Sequence, residues 1–140
     1  MKIQSILFVL MTSLFFVSCI VKVFSIKGEF FQKVRISDEE THFFAVKNNN
    51  LYILKIAGQE IQCAHMKIRG VHDARDSYDA EIELVNKFGD SFDRVGSTRK
   101  MPMSYNEDMV SFDSYKLLKD KDNNVSKIIS KVKYLLDEDD

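Results

Sequence analysis

A chain of 140 residues has room for one compact core behind a targeting segment, and none for a second full domain. With 45% hydrophobic and 29% charged residues it is too apolar for a disordered chain. Lys2, Lys22 and Lys27 precede residue 28 while all 21 acidic residues follow it. The remainder thus keeps 17 of the 20 basic residues and a charge of −4, which argues against general nucleic-acid binding.

Ile6 to Val21 is apolar apart from Thr12, Ser13 and Ser18, between Lys2 and Lys22. A bilayer core takes about 20 such residues and a signal-peptide core about 7 to 15, so the run falls between the two. Extension past a snorkelling Lys22 through Val23, Phe24 and Ile26 completes a span. Residues 1–27 therefore read as a signal-anchor with a transmembrane helix, or as a signal peptide, and residues 28–140 as the folded domain. Neither Val17 with Cys19 nor Val23 with Ser25 makes a good cleavage site. Phe16-Val17-Ser18-Cys19 resembles a bacterial lipobox only loosely, with Phe16 in place of Leu.

Cys63 is the one cysteine of the folded part, so no internal disulfide can form there. Together with Lys22, Lys27, Lys33 and Arg35 after the apolar run, this suits a cytosolic body under the positive-inside rule. Asn124-Val125-Ser126 is a glycosylation sequon, which has meaning only for a lumenal body.

Glu29 to Ile36 reads as a first strand, running to the acidic turn Ser37-Asp38-Glu39-Glu40. Thr41 to Lys47 and Leu51 to Ile56 form a hairpin across Asn48-Asn49-Asn50, because Asn tolerates positive φ. In Glu60 to Ile68 the apolar phase changes from Ile61 and Cys63 to Ala64, Met66 and Ile68, which predicts a bulge. Val71 to Ser77 reads as a loop. Tyr78 to Phe88 alternates with period two, putting Ala80, Ile82 and Leu84 in the core. Ser91 to Val95 is a short sixth strand, Gly96 to Asn106 is irregular, and Met109 to Tyr115 is a seventh strand. Val125, Ile128, Ile129, Val132, Leu135 and Leu136 then recur at helical spacing, with N-cap candidates in Asp122 to Asn124 and a fraying acidic end at 137–140.

The chemistry-bearing residue types make no active site. There is no G-x-S-x-G elbow, no phosphate loop and no nucleophile with its base, so the chain reads as a non-enzyme without cofactor. Cys63 and His65, with His72 and Asp73 further on, match no zinc spacing, and no metal is expected.

Seven strands in hairpin order followed by one amphipathic helix is the element order of a pleckstrin-homology (PH) domain. His42-Phe43-Phe44-Ala45-Val46 followed by Leu51-Tyr52-Ile53-Leu54-Lys55 resembles the hairpin of strands 2 and 3 in that family. The nearest resemblance is to the PH-like domain behind a membrane anchor in ER-anchored SMP-type lipid-transfer proteins. It implies a mainly β fold, a PH-like bent antiparallel barrel with one C-terminal α-helix, behind an N-terminal hydrophobic helix.

The resemblance further implies an adaptor on an endomembrane such as the ER, held through residues 6–21, with a cytosolic body that binds a partner protein or an anionic lipid surface. Lys27, Lys33 and Arg35 are the candidate lipid-binding residues. Asp38, Glu39 and Glu40 would repel a polyphosphate from the loop between strands 1 and 2. The alternative is a small secreted protein or effector with a cleaved signal peptide.

Overall fold

A computed structural model describes residues 25–74 and 77–139, and between 70 and 79 the backbone alone. Eight antiparallel strands follow one another around a closed barrel: β1 (Glu29–Arg35), β2 (Glu40–Lys47), β3 (Asn50–Ala57), β4 (Glu60–Ala74), β5 (Ser77–Phe88), β6 (Thr98–Tyr105), β7 (Met109–Phe112) and β8 (Tyr115–Lys119). Helix α1 (Asn124–Leu136) follows and lies against the outside of the barrel over β2, β3 and β4.

Side-chain alternation gives the chain two cores. Phe44, Val46, Leu51 and Ile53 are buried in the barrel interior with Phe30, Ala80, Ile82 and Leu117. Their neighbours Ala45, Tyr52 and Leu54 point the other way, because successive strand residues face opposite sides. With Cys63 they pack against Val125, Ile128, Val132 and Leu136 of α1. The unbroken apolar run Leu51-Tyr52-Ile53-Leu54 is a strand buried on both faces.

That two-sidedness accounts for the phase change in β4, and the expected bulge shows only in the ladder with β5. Ile61 and Cys63 serve the helix face while Met66 and Ile68 serve the lumen, and β3 pairs with β4 without interruption from Asn50↔Lys67 to Ala57↔Glu60. Register shifts occur instead between β4 and β5, at His65/Met66 and Arg69/Val71. The β2–β3 hairpin is as expected, with Asn48 and Asn49 at φ 51° and 61° between the paired Lys47 and Asn50. Ala80, Ile82 and Leu84 are buried as the alternation predicts.

The PH-like assignment is overturned. A PH-like fold is a sandwich of two sheets, whereas here β1 pairs with β8 and closes a single eight-stranded barrel. Two misread segments account for the difference. Met109 to Tyr115 is split by Asp113, at φ 54°, into β7 and the start of β8, which supplies the closing strand. Gly96 to Asn106 holds β6, while Ser91 to Val95 is loop. Pro102 is tolerated in β6 because β7 pairs only with Met103–Tyr105, leaving Pro102 a neighbour on one side. Val71–Ala74 continues β4, and Ser77 opens β5.

The expected membrane-spanning helix has no counterpart among the described residues, none of whose helices is long and apolar enough to cross a membrane. The run from Ile6 to Val21, on which that reading rested, lies outside the described residues.

Helix α1 starts at one of its expected N-cap residues, though without that residue's bond, and stops differently from its sequence signals. Asn123 occupies the N-cap position at φ 58° and makes no side-chain cap bond. The Asp120 carboxylate does that work, accepting from the Val125 N–H at 2.8 Å and from the Asn124 side-chain amide at 3.2 Å. At the other end the chain does not fray after Leu136. Asp137 turns at φ 56°, the Glu138 N–H donates to the Lys133 carbonyl, and the Glu138 carboxylate reaches His65 at 3.0 Å.

Candidate functional site

The two ends of the barrel are built differently. At one end Ile26, almost wholly buried, joins the interior cluster with Phe30. Its backbone N–H donates to Asn49 Oδ1 at 2.7 Å, and the Tyr105 hydroxyl accepts from the Lys27 N–H and donates to the Lys27 carbonyl. Tyr105 meets Phe30 edge-on at 5.9 Å. Gly28, at φ 107°, turns the chain from this plug into β1, a conformation that side chains with a Cβ rarely adopt. The plug closes the lumen.

At the other end the wall is incomplete. Because β7 is four residues long and pairs only with Met103–Tyr105, residues 98–102 of β6 overhang the β7–β8 turn. A cavity of about 190 Å³ opens there. Phe44, Leu51, Ile53 and Ile82 form its floor, Met66 and Met101 its walls, and Phe92, Phe112 and Tyr115 its aromatic side. Tyr115 lies 4.4 Å from Phe44 and 5.8 Å from Phe112, centroid to centroid. A second hollow of about 80 Å³ shares Met66, Ile82, Arg99 and Met101 with the first. Methionine side chains are adaptable enough to merge two such spaces.

Polar groups stand only at the rim. Lys55 continues the inward phase of Leu51 and Ile53. Its ammonium lies 4.6 Å from the centroid of the Phe92 ring and 3.4 Å from Ser91 Oγ. Among the described residues no carboxylate pairs with it. Arg99 contacts Asp93 at 3.7 Å with both side chains largely exposed, and Asp113 lines the opening. His42, on the inward phase of β2, is held by Glu40 at 3.2 Å.

The loop 89–97 carries Phe92 into the mouth. Gln62 Oε1 accepts from the Ser91 N–H at 2.8 Å, and Lys87 Nζ donates to the Phe92 carbonyl at 3.3 Å. A Cβ on Gly89 would lie 2.5 Å from the Gln62 side chain, at a backbone φ of 108°. Glycine is therefore required where this loop leaves β5.

A polar cluster also sits at the helix-backed wall. His65 stacks on Tyr52 at 4.5 Å, its Nδ1 faces the Glu138 carboxylate and its Nε2 lies 2.9 Å from Asn50 Oδ1. Burial, with the Glu138 charge adding to it, pushes the Cys63 thiol up to about 11 and raises the Tyr52 hydroxyl as well. A thiol held protonated beneath α1 is a packing group rather than a nucleophile. The cluster fastens the end of the helix to the barrel.

The lipid-binding residues expected from the sequence are not gathered in one place. Lys33 and Arg35 share the outer face of β1, while Lys27 precedes that strand at its other end, beyond a strand length of about 20 Å. Lys33 Nζ lies 5.9 Å from the Phe43 ring, and Arg35 is paired with Asp38 at 3.0 Å. Among the described residues no group of three metal-ligating side chains occurs, and the side chain of His72 is outside them.

A larger crevice of about 580 Å³ lies open at the foot of α1, lined by Phe31, by Leu118 and Lys119 of β8 and by the loop from Asp120 to Asp122. Asp120 there is engaged in capping the helix, so the crevice is chiefly the surface beside a cap. The lumen cavity was missed from sequence because its parts come from seven elements. The readable signal was Lys55, a charge on the apolar phase of a strand. No protein family, curated protein or solved structure compared with the chain matches it.

Proposed function

We propose that this chain is a small-molecule-binding barrel whose ligand enters the lumen at the end formed by the β5–β6 loop and the β7–β8 turn. The observation that carries this reading is the apolar cavity of about 190 Å³, blind at the Ile26 end and open at the other. Eight-stranded barrels are just wide enough to be filled by their own side chains or to hold one small ligand. Here the filling stops short of one end. An apolar floor with a few polar groups at the opening is the usual pattern of a ligand site.

Size narrows the ligand. Drug-sized sites run to about 300–1,000 Å³, whereas an apolar cavity of about 150 Å³ takes up benzene. The lumen therefore suits one ring with a short substituent, or a chain of similar bulk. Binding replaces the surface-adaptor role, which leaned on a fold the chain does not have.

The test is a titration of the full chain with benzyl alcohol, followed by NMR of the methionine methyl groups. Met66 and Met101 are expected to shift together with the Tyr115 ring, while α1 methyls such as Val125 and Val132 stay still. The same titration of Met101→Trp, which fills the opening, is expected to leave Met66 unmoved. Absence of any shift at Met66 and Met101 in the parent chain would sink the reading.

A further inference from the structure

Building on that reading of the lumen, we infer that the natural ligand is a small monocarboxylate with an apolar body, its carboxylate received by Lys55 Nζ with Arg99 across the opening. Lys55 carries the argument. Its aliphatic stem follows Leu51 and Ile53 on the inward phase, so the charge is brought to the top of an apolar cavity rather than sent to the outer surface. Lys55 is half-buried as a residue, and among the described residues its ammonium meets a serine hydroxyl at 3.4 Å and an aromatic face at 4.6 Å rather than an anion. Those two partners leave room for a charge-assisted bond to a carboxylate, which is about twice as strong as a neutral one.

The other charged groups at the mouth do not supply that anion. Glu40 is engaged with His42, and Asp93 lies beside Arg99. Asp113, at the tip of the β7–β8 turn, is exposed to water. Phe92 covers the ammonium from the loop side, which lowers the local dielectric and strengthens an ion pair formed beneath it. Phe44, Phe112 and Tyr115 then offer faces and edges to a ring in the body of the ligand. The class that fits is an aromatic or short branched carboxylic acid. Long-chain fatty acids exceed the space.

The experiment compares benzoate with benzamide, which has the same shape without the charge, on the full chain by the Met66 and Met101 methyl shifts. Benzoate is expected to bind at least about tenfold more tightly at neutral pH. In Lys55→Met, which keeps the stem and removes the charge, that preference is expected to vanish while benzamide binding persists; Lys55→Gln serves as the second variant should the first fail to fold. Equal affinity for the two probes overturns the inference and leaves the binding barrel standing. A benzoate preference that survives both Lys55 substitutions overturns it too. Failure of both probes to bind overturns the inference and the proposed function together.

Discussion

The wall formed by β2, β3 and β4 and the wall formed by β6, β7 and β8 belong to one barrel but are built to different standards. In the first, β3 pairs through eight residues with each neighbour, and both of its faces are buried, one by the lumen and one by α1. In the second, β6 and β7 share three pairs and β7 and β8 share four. Only Phe30↔Lys119 and Phe31↔Leu118 pair β1 with β8, and the Gln32 side chain extends that seam by accepting from the Lys116 N–H at 2.9 Å. Leu118 on the outer face of β8 is 61% exposed, with no helix over it. Stability is concentrated in the helix-backed wall, and the opening lies in the other. Binding sites are commonly drawn from the less stable part of a fold.

The largest effects should come from breaking the helix-backed wall. Leu54 is buried between β3 and α1, so Leu54→Ala is expected to cost about 2–5 kcal/mol in urea unfolding, through lost transfer energy and the cavity left behind. Cys63 reports on the same interface. In a Cys19→Ser chain, iodoacetamide at pH 8 should label Cys63 only as fast as α1 lifts away, because the thiol is buried and pushed up to about 11. Leu54→Ala should accelerate that labelling. Labelling at the rate of a free thiol in the parent chain would contradict the placement of α1.

Loosening the helix at its start should cost less. Burial opposes the charge of Asp120, but the N–H groups of Val125, Asp122 and Asn124 and the Asn124 amide outweigh it, holding the carboxyl below its ordinary value of 3.8. A carboxyl lowered on folding contributes stability that is fully present above its unfolded value and is lost as pH falls through the folded one. Asp120→Ala is expected to cost about 1 kcal/mol at pH 7, and the gap between variant and parent should close below about pH 4. Urea midpoints across that range check it. An undiminished gap at pH 2 would remove Asp120 as the cap.

How much could be read from the sequence follows the same division. The β2–β3 hairpin, the inward set Ala80, Ile82 and Leu84, and the stripe of α1 were legible because each is a local period. The closure of the barrel was not, since it depends on pairing β1 with β8 across about 90 residues of chain, which no local pattern records. Asp113 hid a turn inside what looked like one strand, and Pro102 masked a strand inside what looked like a loop. The cavity left Lys55 as its one mark on the sequence for a further reason. It exists because β7 is too short to cover β6, and a missing ladder leaves no residue signature of its own.

The thin wall should yield little when trimmed. Met101 is only partly buried and already borders open space, so Met101→Ala enlarges a cavity rather than creating one. It is expected to cost less than about 2 kcal/mol, below the range for fully buried methionines. A loss as large as that of Leu54→Ala would erase the contrast between the walls.

The smallest effect is expected on the outer face of β1, where the sequence had suggested a lipid site. Arg35 reaches Asp38 at 3.0 Å, but the two side chains are 68% and 98% exposed, so water and salt screen the pair and holding it ordered costs side-chain entropy. Neither residue packs against the lumen or against α1. Arg35→Ala is therefore expected to change stability by less than about 0.5 kcal/mol and to leave the benzoate titration unaltered, because Arg35 is not among the residues lining the cavity. Urea unfolding at low and at 1 M salt provides the sharper measure. A pair that mattered would weaken the parent chain in salt and leave the variant unchanged, whereas an idle one moves both alike. A destabilisation above 1 kcal/mol would mean that the short loop 36–39 braces the β1–β2 end of the barrel, and the contrast would then lie between the two ends rather than between the two walls.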